Sequence, residues 1–319
     1  MDKGISVIIC CYNSASRLPV TLKHLSQQNV DLVIPWEVIV VDNNSSDNTA
    51  NIALSYWNAS KTNTPLRVIE EKMPGLSFAR KKGIREAQYE YIIFCDDDNW
   101  LSDNYIQQAY NLMEQHHFAA AFGGQSEAVS DIPIPEWFNN IRKDYAVGRQ
   151  AEKTGIITAR GYLWGAGLIF RKSVYKKAEE EGFKSYLIDR KGQNLSSGGD
   201  SELCKWFILL GYELWYDSEL YFKHFIPKER LNKEYRDKMR LGIAKSDYWL
   251  RKYDILIKIR SLKNNRLVNF FTGCRYILSR NENFSPTYKQ FLLGPYIKIT
   301  DDDNFSFIKR HNRFIYNRN

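Results

Sequence analysis

Tyr91-Ile92-Ile93-Phe94-Cys95-Asp96-Asp97-Asp98-Asn99 sets an apolar run, mostly β-branched and aromatic, directly against three consecutive carboxylates. Such a run is the mark of a strand buried on both faces, and the acids begin where the chain must leave the sheet. The same unit recurs around it. Residues 5–11, 37–41, 66–69 and 118–122 are further short apolar runs, and amphipathic segments lie between them. Leu18, Leu22 and Leu25 share one helical face, as do Ile52, Ala53 and Tyr56. Strand and helix alternating in this way predict an α/β fold with a mostly parallel central sheet flanked by helices.

Ligands of such sheets bind beyond the carboxyl ends of the strands. The predicted ends carry Tyr12-Asn13, Asp42-Asn43-Asn44-Ser45-Ser46-Asp47, Pro74-Gly75-Leu76-Ser77 and the triplet Asp96-Asp97-Asp98. Three adjacent carboxylates repel one another, and a divalent cation relieves that strain. Hard oxygen ligands suit Mg²⁺ or Mn²⁺, which bind one or two carboxylates together with substrate phosphates. An EF-hand is excluded, because loop position six would be Leu101 and position twelve Gln107. The letters alone decide nothing, since Asp301-Asp302-Asp303-Asn304 repeats the motif in a basic tail without strand and helix units, where it reads as a solvated turn.

The 319 residues, 44% hydrophobic and 26% charged, suffice for one large α/β domain with an appendage. After Pro227 there are 21 Lys and Arg against 9 Asp and Glu, which leaves 24 against 28 before it. The expected division is a large α/β domain over residues 1–227 and a basic, mainly helical extension over 228–319. The extension interleaves its cations with Trp249, Tyr253, Phe270, Phe271 and Tyr276, a pattern suited to an anionic membrane surface. The acidic balance of the first 227 residues argues against nucleic acid as a partner. Neither a signal peptide nor a spanning segment is read, so the expected place is the cytoplasm, peripheral to the inner face of the cell membrane. Cys10, Cys11, Cys95, Cys204 and Cys274 lie mostly in apolar runs and read as core residues. Neither a G-x-G-x-x-G nor a P-loop pattern is present.

Six segments in order carry a family resemblance: residues 7–13, 40–47, 75–80, 94–98, Trp164-Gly165-Ala166-Gly167 and Gly199-Asp200-Ser201-Glu202. Residues 5 to about 225 resemble glycosyltransferase family 2, inverting enzymes of the GT-A fold. The resemblance implies that Tyr12 stacks on the nucleotide base, that Asp42 accepts a hydrogen bond from it, and that Asn13 and Asn44 belong to the same donor-binding loops. It makes Arg80 a donor contact, sets Asp96 at the ribose or the metal and Asp98 on the metal, and leaves Asp97 beside the donor. His224, at the end of an apolar run, is the further metal ligand. Asp200 is the base implied for inversion. Gly199 departs from the family pattern, which has an acid there. Glu202 is the reserve and, with Trp164 and Gly165, the expected acceptor wall. The implied reaction moves a hexosyl unit from a nucleotide-diphosphate sugar, a UDP-sugar, to a glycan or lipid-linked acceptor in cell-surface polysaccharide synthesis. A non-catalytic sugar- or nucleic-acid-binding protein and a sugar nucleotidyltransferase stand as alternatives.

Overall fold

The first half of the chain runs β1 (Asp2–Cys11), α1 (Leu18–Ser26), β2 (Trp36–Asp42), α2 (Thr49–Ala59), β3 (Leu66–Glu70), α3 (Leu76–Glu86) and β4 (Tyr89–Asp96). It is seen in a computed structural model that describes residues 2–187, 189, 190, 195–262, 307, 310 and 311. Then follow β5 (Asn99–Leu101), α4 (Tyr105–Gln115), β6 (Ala119–Val129), α5 (Phe138–Ile141), β7 (Gly155–Ile156), β8 (Ile169–Arg171), α6 (Lys172–Glu180), α7 (Gly199–Leu209), β9 (Glu213–Phe225) and α8 (Lys233–Leu262).

Successive strand side chains point to opposite faces, so each buried run feeds two cores. Ile5, Val7, Ile9 and Cys11 of β1, with Val38, Val40, Tyr91, Ile93 and Cys95, pack under Leu18, Leu22 and Leu25 of α1, Trp57 of α2 and Tyr105, Ile106 and Met113 of α4. Ile8, Ile39, Val41, Ile92 and Phe94 face the other way, onto Ala79 and Ile84 of α3, Val174 and Tyr175 of α6 and Leu203, Cys204 and Phe207 of α7. Cys10 and Cys11 thus fall on opposite faces, and the four described cysteines are free.

Among the described residues the sheet runs β3-β2-β1-β4-β8-β6-β9-β5, with β7 beside β9. The first four strands are parallel, as expected. Residues 118–122 do not extend that parallel block directly, because β8 lies between β4 and β6 and is antiparallel to both. Parallel pairing resumes between β6 and β9. The register positions the site: Cys11 is opposite Asp42, and Cys10 is opposite Asp96, so three polar strand ends share one edge. Farther along the sheet, Asn99 of β5 is opposite His224 of β9.

Two compact units divide the chain, Met1–Asp247 and Tyr248–Asn319. The first extends past Pro227 because Leu231 and Met239 pack with Phe138, Tyr145, Val147 and Ile226. In the second, Tyr253 meets Phe307 edge-on, and Phe307 stacks on His311. Asp301, Phe270, Phe271, Tyr276 and Cys274 lie outside the described residues. No helix among the described residues is long and apolar enough to cross a membrane.

The β6–β9 seam depends on a glycine. A Cβ at Gly124 would meet the Leu220 carbonyl oxygen at 1.7 Å, at a bulge where the register shifts. Backbone cannot give way as a flexible side chain can. Gly124→Ala is therefore expected to lower the unfolding free energy by about 1–3 kcal/mol or more, measured by urea denaturation.

Candidate active site

The loops after β1 and β2 build one rim. Asn13 and Asn44 both adopt left-handed backbone, φ 50° and 60°, which asparagine tolerates better than most residues. Asn13 N–H donates to Ser45 Oγ at 3.0 Å, and Ser46 N–H donates to Asn13 Oδ1 at 2.8 Å, which laces the loops together. Asp47 accepts from the N–H groups of Ala15 and Thr49. Tyr12 stands 53% exposed at this rim, while Asp42 uses Oδ1 to accept from Ser45 N–H. Asn44 is exposed beside them. Asn43, which the sequence did not single out, is a buried clamp: its amide donates to the Glu71 and Met73 carbonyls and accepts from Gly75 N–H.

Each carboxylate of the triplet has its own surroundings. Asp96 lies within electrostatic reach of Arg80, and its N–H donates to Asn99 Oδ1. Asp97 turns back toward α1, where Ser14 Oγ and Arg17 Nη2 both donate to its Oδ2 and Thr21 donates to its carbonyl. Burial, then Asp98, pushes the Asp97 carboxyl up against the pull of Arg17. The described contacts of Asp97, which is expected beside the donor, bind the strand end to the first helix. Asp98 is 2% exposed and meets Arg230 Nη1 at 2.8 Å and His224 Nε2 at 3.4 Å. Burial would raise its carboxyl, but His224 and then Arg230 override that and hold it well below the ordinary carboxylate range.

A second cluster forms where α3 and α7 begin. Arg80, over the Phe94 ring at 4.8 Å, pairs with Asp189 at 3.3 Å. Burial opposes its charge, but Asp189, Asp96 and Asp200 together keep the guanidinium above its ordinary value. Asp200 Oδ2 accepts from Gly165 N–H, and Oδ1 accepts from Ser201 N–H at 2.8 Å. Gly165 has no room for a side chain: a Cβ there would stand 2.6 Å from Arg80 Nη2 and 3.0 Å from Asp200 Oδ2.

Two expected acceptor residues, Glu202 and Trp164, are buried among protein partners. Glu202 is 0% exposed and accepts from Ser185 Oγ, Tyr186 N–H and Leu187 N–H, so it anchors the preceding loop. Trp164 is 7% exposed; Arg160 lies over its ring at 5.2 Å, and its backbone N–H donates to Gln150 Oε1. Arg17, Asp189 and Arg230 escaped notice because no local pattern ties them to partners 80, 109 and 132 residues away.

For a divalent cation the donor set fits in part. Asp98 and His224 offer one carboxylate and one imidazole, and His224 Nδ1 is buried with no hydrogen-bond partner among the described residues. No group of three His, Cys, Asp or Glu side chains gathers there among the described residues, and Asp96 stands apart with Arg80. Two protein ligands, with phosphate oxygens and water completing the shell, are the usual provision for Mg²⁺ or Mn²⁺.

The parallel half-sheet whose strand ends carry Tyr12, Asp42 and the triplet is a GT-A architecture. The crystal structure of Staphylococcus aureus TarS 1–349 in complex with UDP superposes with a TM-score of 0.55 over 99% of this chain and 75% of that one, at 17% identity. The chain belongs to glycosyl transferase family 2, whose sequence profile matches residues 6–178. It is 26% identical over 177 residues to the putative glycosyltransferase EpsH of Bacillus subtilis, covering 54% of this chain and 48% of that protein. It is 22% identical over 289 residues to the poly(ribitol-phosphate) beta-N-acetylglucosaminyltransferase TarP of Staphylococcus aureus, covering 90% and 73%. The chain spans about half of EpsH and 28% of the cholesterol galactosyltransferase of Borreliella burgdorferi, which it matches at 35% identity over 107 residues.

Asp97→Ala leaves Ser14 and Arg17 without their shared acceptor. It is expected to cost about 1–3 kcal/mol of unfolding free energy, read from urea melts, without loss of nucleotide affinity measured by calorimetry.

Proposed function

We propose that the chain is a metal-dependent, inverting hexosyltransferase that uses a UDP-sugar and elongates a cell-surface glycan or a lipid-linked precursor. The observation that carries this reading is the shared edge of β1, β2 and β4. It gathers an exposed aromatic ring at Tyr12, an acceptor carboxylate at Asp42 and the acids Asp96 and Asp98, with Arg80 alongside Asp96 and Asp200. An aromatic face suits a nucleobase, and a strand-end carboxylate can accept its N–H. The fold relative TarS, solved with UDP and with UDP-GlcNAc, supports the choice of donor.

In this reading the acceptor hydroxyl oxygen bonds to the anomeric carbon on the face opposite the diphosphate. The anomeric carbon–phosphate oxygen bond breaks, and its electron pair leaves with the nucleoside diphosphate. Asp200 takes the hydroxyl proton as general base. Backbone N–H groups of Gly165 and Ser201 fix its two oxygens, so the carboxylate is oriented before the acceptor arrives. Asp98 and His224 would hold Mn²⁺ or Mg²⁺, which supplies positive charge to the departing diphosphate when bound. The basic residues after Pro227 suit an anionic surface, and residues 228–319 are proposed as the extension that meets it.

Thermal unfolding in a panel of nucleotide sugars, with and without Mn²⁺, tests the donor. Stabilisation is expected for a UDP-sugar and only with the metal. Asp98→Ala should remove that stabilisation, whereas Asp200→Asn should keep it and abolish transfer. Near-normal turnover by Asp200→Asn would remove Asp200 from the mechanism.

A further inference from the structure

Gly199, the first residue of α7, has no side chain, yet a carboxylate fills the space beside it. A Cβ at 199 would lie 2.3 Å from Asp189 Oδ2 and 3.1 Å from Oδ1. Asp189 reaches this place from ten residues upstream and is fixed from three sides. Its N–H donates to Ser77 Oγ at 3.2 Å, Gly199 N–H donates to its Oδ1 at 2.8 Å, and Arg80 Nη1 meets its Oδ2 at 3.3 Å. The segment leading to it is tied down by the buried Glu202 through Tyr186 and Leu187. At 4% exposure Asp189 is a buried acid with no part in the chemistry so far described.

Its effect follows from what Arg80 would otherwise do. The guanidinium is surrounded by Asp96, Asp189 and Asp200, and arginine readily closes bidentately on an available carboxylate. A base that must accept a proton is weakened when a cation sits directly on it. Among the described residues the ion pair of Arg80 is with Asp189, although Nη2 and Asp200 Oδ2 both border the space that a Cβ at Gly165 would fill.

We propose that Asp189 is a positioning residue of the transfer reaction: its ion pair holds Arg80 and so keeps the Asp200 carboxylate available as base. The inference rests on the reading of Asp200 as the base. Asp189 also explains how a glycine can open α7, since the acid in this space comes from the preceding loop.

The near-isosteric Asp189→Asn tests it, with kcat and donor KM measured by release of the nucleoside diphosphate and folding checked by thermal melt. Loss of about 10–100-fold in kcat with donor KM unchanged is the expected result, the usual cost of losing an outer support. In an Arg80→Gln background the same substitution should cost little further, because its effect passes through Arg80. Unchanged kcat in Asp189→Asn, a loss of the same size in both backgrounds, or a matching rise in donor KM would each overturn the role. Asp189→Ser is read by the same criteria should Asp189→Asn fail to fold. An Asp200→Asn chain that retains turnover, or a wild type that transfers from no nucleotide sugar, overturns the underlying reading and this role with it. A wild type that depends on Asp200 but not on Asp189 overturns this role alone.

Discussion

Repulsion among Asp96, Asp97 and Asp98 is the constraint on which the rest of the site depends. Two like charges about 4 Å apart cost about 4 kcal/mol each way at an effective dielectric of 20, so three at one strand end cannot share a single counter-ion cheaply. The chain distributes them. Asp96 faces Arg80 of α3, Asp97 takes Arg17 ahead of α1, and Asp98 takes His224 of β9 and Arg230 beyond it. The partners come from four separate parts of the first compact unit, so neutralising one short segment holds several elements against the sheet edge.

That distribution separates the acids by task. Asp97 is committed to Ser14, Arg17 and the Thr21 hydroxyl, and in this way it sets the direction in which the chain leaves β4. With the middle residue turned toward α1, Asp96 falls within electrostatic reach of Arg80, while Asp98 falls on the β5–β9 side with His224. A structural acid between two others is what separates an electrostatic contact near Arg80 from a carboxylate and imidazole pair.

The parallel strands of the first half could be read from the sequence because a parallel strand buried on both faces must be apolar along its whole length. Residues 5–11, 37–41 and 91–95 have no other stable place to go. The interruption by β8 could not be read. Its three residues, Ile169–Arg171, carry too little pattern to declare a direction, and their antiparallel pairing with both neighbours is decided by tertiary packing. The same limit applies to side chains. Glu202 sits two residues beyond the expected base Asp200, and an acid in the first turn of a helix looks equally apt for a ligand or for an anchor. Only its burial under Tyr186 and Leu187 separates the two. Trp164 has the right type for a sugar platform, but Arg160, four residues earlier, covers it.

Gly199 carries the point furthest. Read along the chain, it is an acid missing from a motif; read in space, the site has not lost the carboxylate. A transfer site needs negative charge and lone pairs at defined positions, and it is indifferent to which segment delivers them. The cost of delivery from a loop is that the loop must be fixed as firmly as a helix would be. The buried Glu202, Ser77 and Arg80 meet that requirement from three directions, with hydrogen bonds and an ion pair rather than apolar packing. Motif comparison alone therefore underestimates a site whose parts are exchanged between neighbouring segments, because the exchange leaves position intact while it erases local order.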